Sequence, residues 1–204
     1  IALNYGIYFK DNYKKETFPY ELTLLVPSKY IGLFGDEVSY ISSSDFFRKH
    51  FSLFFPKFDI WHSIHQLSRF RPMWKETKLI LTVHDLNFLY EKTAGARDRR
   101  YRKMQNKINR ANEIVCISEF TKKEVEEKLS LNNKKCRVIY NKVSLLNKEK
   151  AVKPNFEIKE PFFFTLGLIS RKKNFHVLLD MMKLMPQRHL YITGMKADLT
   201  KNSY

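Results

Sequence analysis

The chain has no apolar run approaching the roughly 20 residues of a membrane-spanning helix. Its most apolar patch, residues 51–58, is short and carries Pro56 and Lys57. There is no initiating methionine and no signal-peptide pattern, so we expect Ile1 not to be the native N-terminus. Hydrophobic residues nevertheless make up 44% of the 204 residues, which is enough for a globular core and argues against disorder.

Cysteine is scarce, and the two that occur, Cys116 and Cys136, each lie inside an apolar, strand-like run. We expect buried thiols in a reducing, cytoplasmic compartment, and neither a disulfide nor a metal site. A G-x-G-x-x-G sequence is also missing after the first strand, which argues against a nucleotide-sugar epimerase or another dinucleotide-binding enzyme.

Acidic residues are few: the chain has 21 aspartates and glutamates and 37 lysines and arginines, and its net charge is +16. Residues 92–150 hold 17 basic and 7 acidic side chains. Such a field favours a polyanionic partner. Nucleic acid, anionic lipid headgroups and a phosphate-bearing substrate all remain open.

Short β-rich runs alternate with helical stretches, and several runs are continuously apolar, as in parallel strands covered on both faces. This alternation predicts an α/β fold with a parallel sheet. The expected strands are Leu22–Pro27, Glu37–Ile41, Phe58–Ser63, Lys78–His84, Glu113–Ser118, Arg137–Asn141, Phe162–Gly167 and Leu190–Gly194.

Several helices are also predicted. The opening residues 1–9 favour a helix; Ser118 is a good N-cap for Glu119–Leu129, and Asn174 for Phe175–Met185. Between residues 144 and 161 the chain is rich in lysine and proline and reads as a linker. We therefore expect a domain boundary near residue 150, with residues 151–204 forming the linker and an incomplete second domain.

The helix over Arg99–Ala111 has an apolar stripe and a basic side. Its basic side could lie against an anionic membrane surface, or it could be an ordinary solvated helix face. The residues of the membrane interpretation are Arg99, Arg100, Lys103, Lys107 and Arg110.

Three places could carry chemistry, each following an expected strand. His84 and Asp85 follow an apolar strand, where a histidine can hydrogen-bond a sugar hydroxyl or move a proton near neutral pH. An equally open interpretation is a histidine that ends a strand and bonds to backbone. His62 and His65 follow another strand without the spacing of a metal site, and both acceptor contact and plain loop structure remain open.

The third place begins at Gly167, where a strand ends in glycine and a basic loop leads into a helix. Glycine allows close approach of a ligand, and the helix N-terminus and cations favour the phosphate oxygens of a diphosphate. The alternative is a solvated basic loop. The cations concerned are Arg171, Lys172 and Lys173.

Four stretches stand in a recognisable order: LILTVHDLNFLYEK, ANEIVCISEFTKKEV, RVIYNKV and FFFTLGLISRKKNFHVLLDMM. Together they resemble the GT4-like retaining glycosyltransferases of the GT-B fold. The resemblance implies an acceptor-side Rossmann-like domain over residues 1–150 and the start of a donor-nucleotide domain after it. It also implies transfer of a sugar from a nucleotide diphosphate sugar to a glycan or lipid-linked acceptor, with no metal cofactor. We expect a cytoplasmic protein, which the membrane interpretation of the basic helix would place on the inner face of the cell membrane.

The same resemblance assigns site residues. His84, with Asp85 beside it, matches the histidine that reaches the donor sugar. Lys172 and Lys173 match the pair that holds the donor diphosphate, and Gly167 matches the glycine beside the nucleotide. Asn112, Lys142 and Leu168 depart from the family pattern.

Two expected parts of that pattern are missing: the glycine-rich loop after the first strand and the E-x7-E glutamates. The resemblance therefore implies a truncated chain that is inactive alone. The rival hypothesis is a basic, non-catalytic module that binds nucleic acid, although no motif with nucleic-acid spacing appears.

Overall fold

The computed structural model describes residues 2–44, 55–142, 151–169 and 173–194. The chain forms two compact units, Ile1–Ser144 and Leu145–Tyr204. The strands of the first unit are β1 (Thr23–Val26), β2 (Ser39–Ser42), β3 (Ile60–Ser63), β4 (Lys78–Val83), β5 (Glu113–Cys116) and β6 (Cys136–Val138). Its helices are α1 (Ala2–Asn12), α2 (Phe88–Glu91), α3 (Ala94–Arg110) and α4 (Glu119–Lys128), with a 3₁₀ turn over Ser28–Tyr30.

The four strand pairs in the described residues of the first unit are parallel, so the predicted α/β fold with a parallel sheet is confirmed. Strands β3, β4, β5 and β6 form one sheet in that order. Strands β1 and β2 pair only with each other in the part of the chain that the structure describes. Within residues 2–44 and 55–142, the first unit therefore has a two-stranded and a four-stranded parallel sheet.

The main core lies between the four-stranded sheet and its helices. Leu79, Leu81 and Val83 of β4 are buried, and Met104 and Ile108 of α3 pack with them. The apolar stripe predicted for α3 is therefore confirmed, although the helix begins earlier than expected. The predicted cap of α4 is confirmed as well, since the Ser118 side chain accepts a hydrogen bond from the Thr121 backbone N–H at 3.1 Å.

Cys116 and Cys136 lie on the neighbouring strands β5 and β6, and both are buried, free thiols as predicted. A hydrogen bond between the two sulfur groups, together with burial, raises the pKa of Cys116. None of the helices in the described residues is long and apolar enough to cross a bilayer.

A second, smaller core joins α1 to the β1–β2 sheet, and the helix predicted for the opening residues is confirmed. Tyr13, Phe34 and Val38 are its buried members. The Tyr13 hydroxyl donates to the Tyr20 carbonyl at 3.0 Å and accepts from the Leu22 N–H at 3.2 Å. Gly6 is the buried residue of α1, and it lies directly against the Phe34 ring.

Replacing Gly6 with alanine is expected to destabilise the first unit. A Cβ at Gly6 would lie 2.4–2.6 Å from atoms of the buried Phe34 ring, so the ring has to move. Overpacking of this kind costs about 1–3 kcal/mol, against a gain in helix propensity of about 1 kcal/mol. Thermal unfolding should show a lower Tm than that of the unmodified protein.

Gly95 provides the matched control, because it also lies in a helix, α3, and a Cβ there would have nothing within 4 Å. Gly95→Ala should leave the Tm unchanged or raise it. Equal behaviour of the two variants would show that Phe34 does not pack on Gly6 as described.

The second unit is a strand–helix–strand unit: β7 (Phe162–Leu166), α5 (Phe175–Lys183) and β8 (His189–Thr193). Its two strands pair in parallel from Phe162↔His189 to Leu166↔Thr193. Asn174 stands at the start of α5 as expected, but it makes no side-chain capping hydrogen bond. Its φ of 55° places it in the left-handed region, which asparagine tolerates better than most residues.

Candidate active site

His84 and Asp85 lie at the carboxyl end of β4, which is flanked by β3 and β5. Both residues are half-buried, directly after the buried Val83. The carboxyl ends of neighbouring parallel strands meet at this edge of the sheet, and so does the start of α4. This is the edge at which open parallel sheets bind ligands.

Three hydrogen bonds fix His84. Its Nε2 lies 2.8 Å from the Ile64 carbonyl oxygen, and because a carbonyl only accepts, Nε2 carries the proton. The His84 backbone N–H donates to Gln66 Oε1 at 3.0 Å, and its carbonyl accepts from Thr121 Oγ1 at 3.1 Å. In this tautomer Nδ1 is an acceptor, suited to a hydrogen bond from a sugar hydroxyl.

The ring of His65 is stacked on that of His84, with centroids 4.9 Å apart and planes 20° from parallel. His65 Nδ1 accepts a hydrogen bond from the Leu67 N–H at 3.0 Å. Desolvation lowers the pKa of His65, the neighbouring His84 and Lys107 lower it further, and Asp85 opposes them. His65 is therefore neutral at pH 7, beside the half-buried His84.

Asp85 shapes the loop that follows the strand. Its Oδ1 accepts a hydrogen bond from the Asn87 N–H at 3.1 Å, an Asx turn that leads into α2. Its backbone carbonyl accepts from Gln66 Nε2 at 2.9 Å. The Asp85 carboxylate thus supports the backbone beside His84.

His62 lies apart from this pair, although the sequence places it near His65. It is inside β3, where its Nε2 is 2.9 Å from Thr82 Oγ1 and its ring meets the edge of Tyr5 from α1 at 6.0 Å. The residue as a whole is exposed, yet desolvation lowers the pKa of the His62 imidazole. The structure therefore unites His65 with His84, and His62 with Thr82 and Tyr5.

Two of the five cations on the basic side of α3, Lys107 and Arg110, bind backbone carbonyl groups. Lys107 Nζ donates to the Gln66 carbonyl at 2.5 Å and to the Ser68 carbonyl, and burial lowers its pKa. Arg110 donates to the Trp74 carbonyl at 2.8 Å. The prediction of contact with an anionic membrane is left with Arg99, Arg100 and Lys103, which are exposed.

In the second unit, Gly167 ends β7 and its N–H donates to the Thr193 carbonyl at 2.9 Å. Lys173 is exposed and lies immediately before Asn174 and α5. The other two predicted cations, Arg171 and Lys172, lie outside the described residues.

Gly194 was not among the site residues predicted from the sequence, yet it has the strictest requirement for glycine. Its φ is 143°, and a Cβ there would lie 1.9 Å from the Gly167 carbonyl oxygen. At Gly167 itself a Cβ would meet only the Phe175 ring, at 3.7 Å. The sequence did contain a signal for Gly194, because two of the expected strands, Phe162–Gly167 and Leu190–Gly194, end in glycine.

The Glycosyltransferase Family 4 model matches residues 10–145, about two thirds of the chain. The chain belongs to Glycosyltransferase Family 4. The match includes His84, Asp85, His62 and His65 and ends at Leu145, the first residue of the second unit. No curated protein and no solved structure gives a significant match. As a family member, the chain is a glycosyltransferase domain with sugar donors and acceptors as its substrates.

No group of three or more histidine, cysteine, aspartate or glutamate side chains that could hold a metal occurs within residues 2–44, 55–142, 151–169 and 173–194.

Proposed function

We propose that this Family 4 domain belongs to a retaining glycosyltransferase that uses a nucleotide diphosphate sugar and a glycan or lipid-linked acceptor. In this proposal the first unit is the acceptor-side domain and the second unit begins the donor-nucleotide domain. The observation that carries the proposal is the orientation of His84 at the carboxyl end of β4, with Nε2 bound to Ile64 and Nδ1 left as an acceptor.

In the reaction the bond between the sugar C1 and the diphosphate oxygen breaks, and a bond from C1 to the acceptor oxygen forms with the same anomeric configuration. The proton of the acceptor hydroxyl leaves with the departing diphosphate. His84 Nδ1 accepts a hydrogen bond from a donor-sugar hydroxyl and so orients C1. His65, neutral and stacked on His84, contacts the acceptor, as does His62. The role of His84 follows from the resemblance, whereas acceptor contact by His65 and His62 is inferred from their place after a strand. The stacking of His65 on His84 supports the proposal.

The departing diphosphate carries the developing negative charge. We assign its stabilisation to the basic loop after Gly167, with Lys173 at the start of α5 and Arg171 and Lys172 before it. Fixed cations and a helix N-terminus stabilise such charge without a metal. The proposal therefore includes turnover that does not need a divalent cation.

The test uses the intact protein with a panel of UDP- and GDP-sugars and measures nucleoside diphosphate release, with and without a chelator. We expect one donor to be consumed, chelation to have no effect, and NMR of the product to show the donor's anomeric configuration. An inverted product would overturn the retaining assignment, and loss of turnover on chelation would overturn the metal-free one. Absence of turnover, together with tight and steeply salt-dependent binding of nucleic acid, would favour the rival binding module.

A further inference from the structure

Gln66 is a buried glutamine, 3% exposed, whose side chain contacts the backbone of both His84 and Asp85. Its Oε1 accepts from the His84 N–H at 3.0 Å, and its Nε2 donates to the Asp85 carbonyl at 2.9 Å. One amide group therefore pairs with two successive residues at the carboxyl end of β4. An amide so placed satisfies backbone groups that would otherwise be left without a partner.

The backbone of Gln66 is itself held from another element. Lys107 of α3 donates from Nζ to the Gln66 carbonyl at 2.5 Å and to the Ser68 carbonyl. Lys107 is half-buried, and desolvation lowers the pKa of its ammonium group. A desolvated ammonium with two carbonyl acceptors restrains the segment more than a solvated lysine would.

The two residues before Gln66 contact the His84 ring. Ile64 accepts the hydrogen bond from His84 Nε2, and His65 stacks on the ring. Movement of the 64–67 segment would therefore remove the carbonyl that selects the Nε2–H tautomer, together with the stacked ring. Gln66 connects that segment to the residue whose ring it orients.

We propose that Gln66 is a positioning residue: it holds the 64–67 segment against the end of β4 and thereby sets the tautomer and orientation of the His84 ring, with Lys107 as its anchor. The catalytic consequence rests on the function proposed above, whereas the effect on the ring does not. Gln66 itself touches neither donor nor acceptor in this proposal.

The test compares Gln66→Leu with Gln66→Glu in the intact enzyme. Leucine removes both contacts, whereas a carboxylate can still accept from the His84 N–H but cannot donate to Asp85. We expect Gln66→Leu to lower kcat about tenfold with little change in donor KM, since small misplacements of a catalytic group reduce the rate of the chemical step. Gln66→Glu should recover part of that loss.

Gln105→Leu is the matched control. Gln105 also uses both ends of its amide on backbone, accepting from the Ser130 N–H at 2.9 Å and donating to the Ser130 carbonyl at 2.7 Å. It lies on α3, and neither contact involves the 64–67 segment or His84. This variant should lose some stability and keep its kcat.

A second measurement reports on the ring without any substrate. Nitrogen-15 NMR of the imidazoles distinguishes Nε2–H from Nδ1–H, and the His84 signal should move from nearly pure Nε2–H toward a mixture in Gln66→Leu. Lys107→Met removes the contact with the Gln66 backbone and should shift the His84 signal in the same direction by a smaller amount. This second variant provides the test if Gln66→Leu does not fold.

The outcomes are separable. If the His84 tautomer in the Gln66 and Lys107 variants equals that of Gln105→Leu, Gln66 does not position the ring and the inference is wrong. If the tautomer changes while kcat is unaltered, the positioning stands and the role of His84 in sugar transfer is rejected. A changed tautomer with reduced kcat supports both.

Discussion

Replacement of His84 with alanine in the intact enzyme is expected to lower kcat by roughly 100- to 10,000-fold, the range typical of a lost proton-transfer or hydrogen-bonding group in the transition state. The variant loses the Nδ1 acceptor and the contact with the Ile64 carbonyl, while the backbone contacts to Gln66 and Thr121 remain. Steady-state kinetics with the donor found to be turned over provides the measurement.

The control for His84→Ala is Thr77→Val. This substitution also removes a polar contact, but at the amino end of the strands, opposite the edge that carries His84. Thr77 is 1% exposed, and its Oγ1 donates to the Phe58 carbonyl at 2.7 Å, beside the start of β4. Thr77→Val should lower the Tm and leave kcat within a few-fold of normal. A His84→Ala enzyme with normal kcat and normal Tm would reject His84 as a catalytic residue.

The strands could be predicted because the residues that bury each strand are consecutive in the sequence. In β4, Ile80 is half-buried and four positions are buried, namely Leu79, Leu81, Thr82 and Val83, so both faces of the strand are covered, as in a central parallel strand. The cap of α4 was equally local, because a serine three residues ahead of the donating N–H is enough to identify it. Only the ends of such elements moved: β6 covers Cys136–Val138 where Arg137–Asn141 was expected.

The supporting contacts of the site could not be predicted, because they join residues far apart in the chain. Gln66 lies 18 and 19 residues from His84 and Asp85, and Lys107 lies 41 residues from Gln66. A helical wheel gives the direction in which Lys107 leaves α3, but not where its long side chain ends. His62 was grouped with His65 for the same reason: its contact with Thr82 joins residues that are far apart in the sequence.

One departure from the family pattern has a local explanation. Asn112, where aspartate is usual, accepts a hydrogen bond from the Leu79 N–H through Oδ1 at 2.8 Å, and its own N–H donates to the Leu79 carbonyl at 2.8 Å. Either side chain offers Oδ1 in that place, so the substitution preserves the contact that ties the start of β5 to β4. For Lys142 and Leu168, nothing in the structure explains the change.

Replacement of Lys173 with alanine in the intact enzyme is expected to lower kcat about a hundredfold or more, by analogy with the loss of one charge-stabilising donor. Lys173 is exposed and stands directly before α5, where a helix N-terminus already favours anions. A fall in kcat, rather than only a rise in donor KM, identifies an interaction that strengthens as charge develops on the leaving diphosphate. Lys173→Arg should restore part of the rate because it keeps the charge.

Lys183→Ala is the matched control for Lys173→Ala. Lys183 is also an exposed lysine of the second unit, but it lies in the last turn of α5, where its Nζ pairs with Asp180 at 2.8 Å. Both variants remove one positive charge from a chain of net charge +16, so a general electrostatic effect on an anionic donor would appear equally in the two. A loss confined to Lys173→Ala assigns the effect to its place before the helix, whereas equal losses, or near-normal kcat in Lys173→Ala, would reject that assignment.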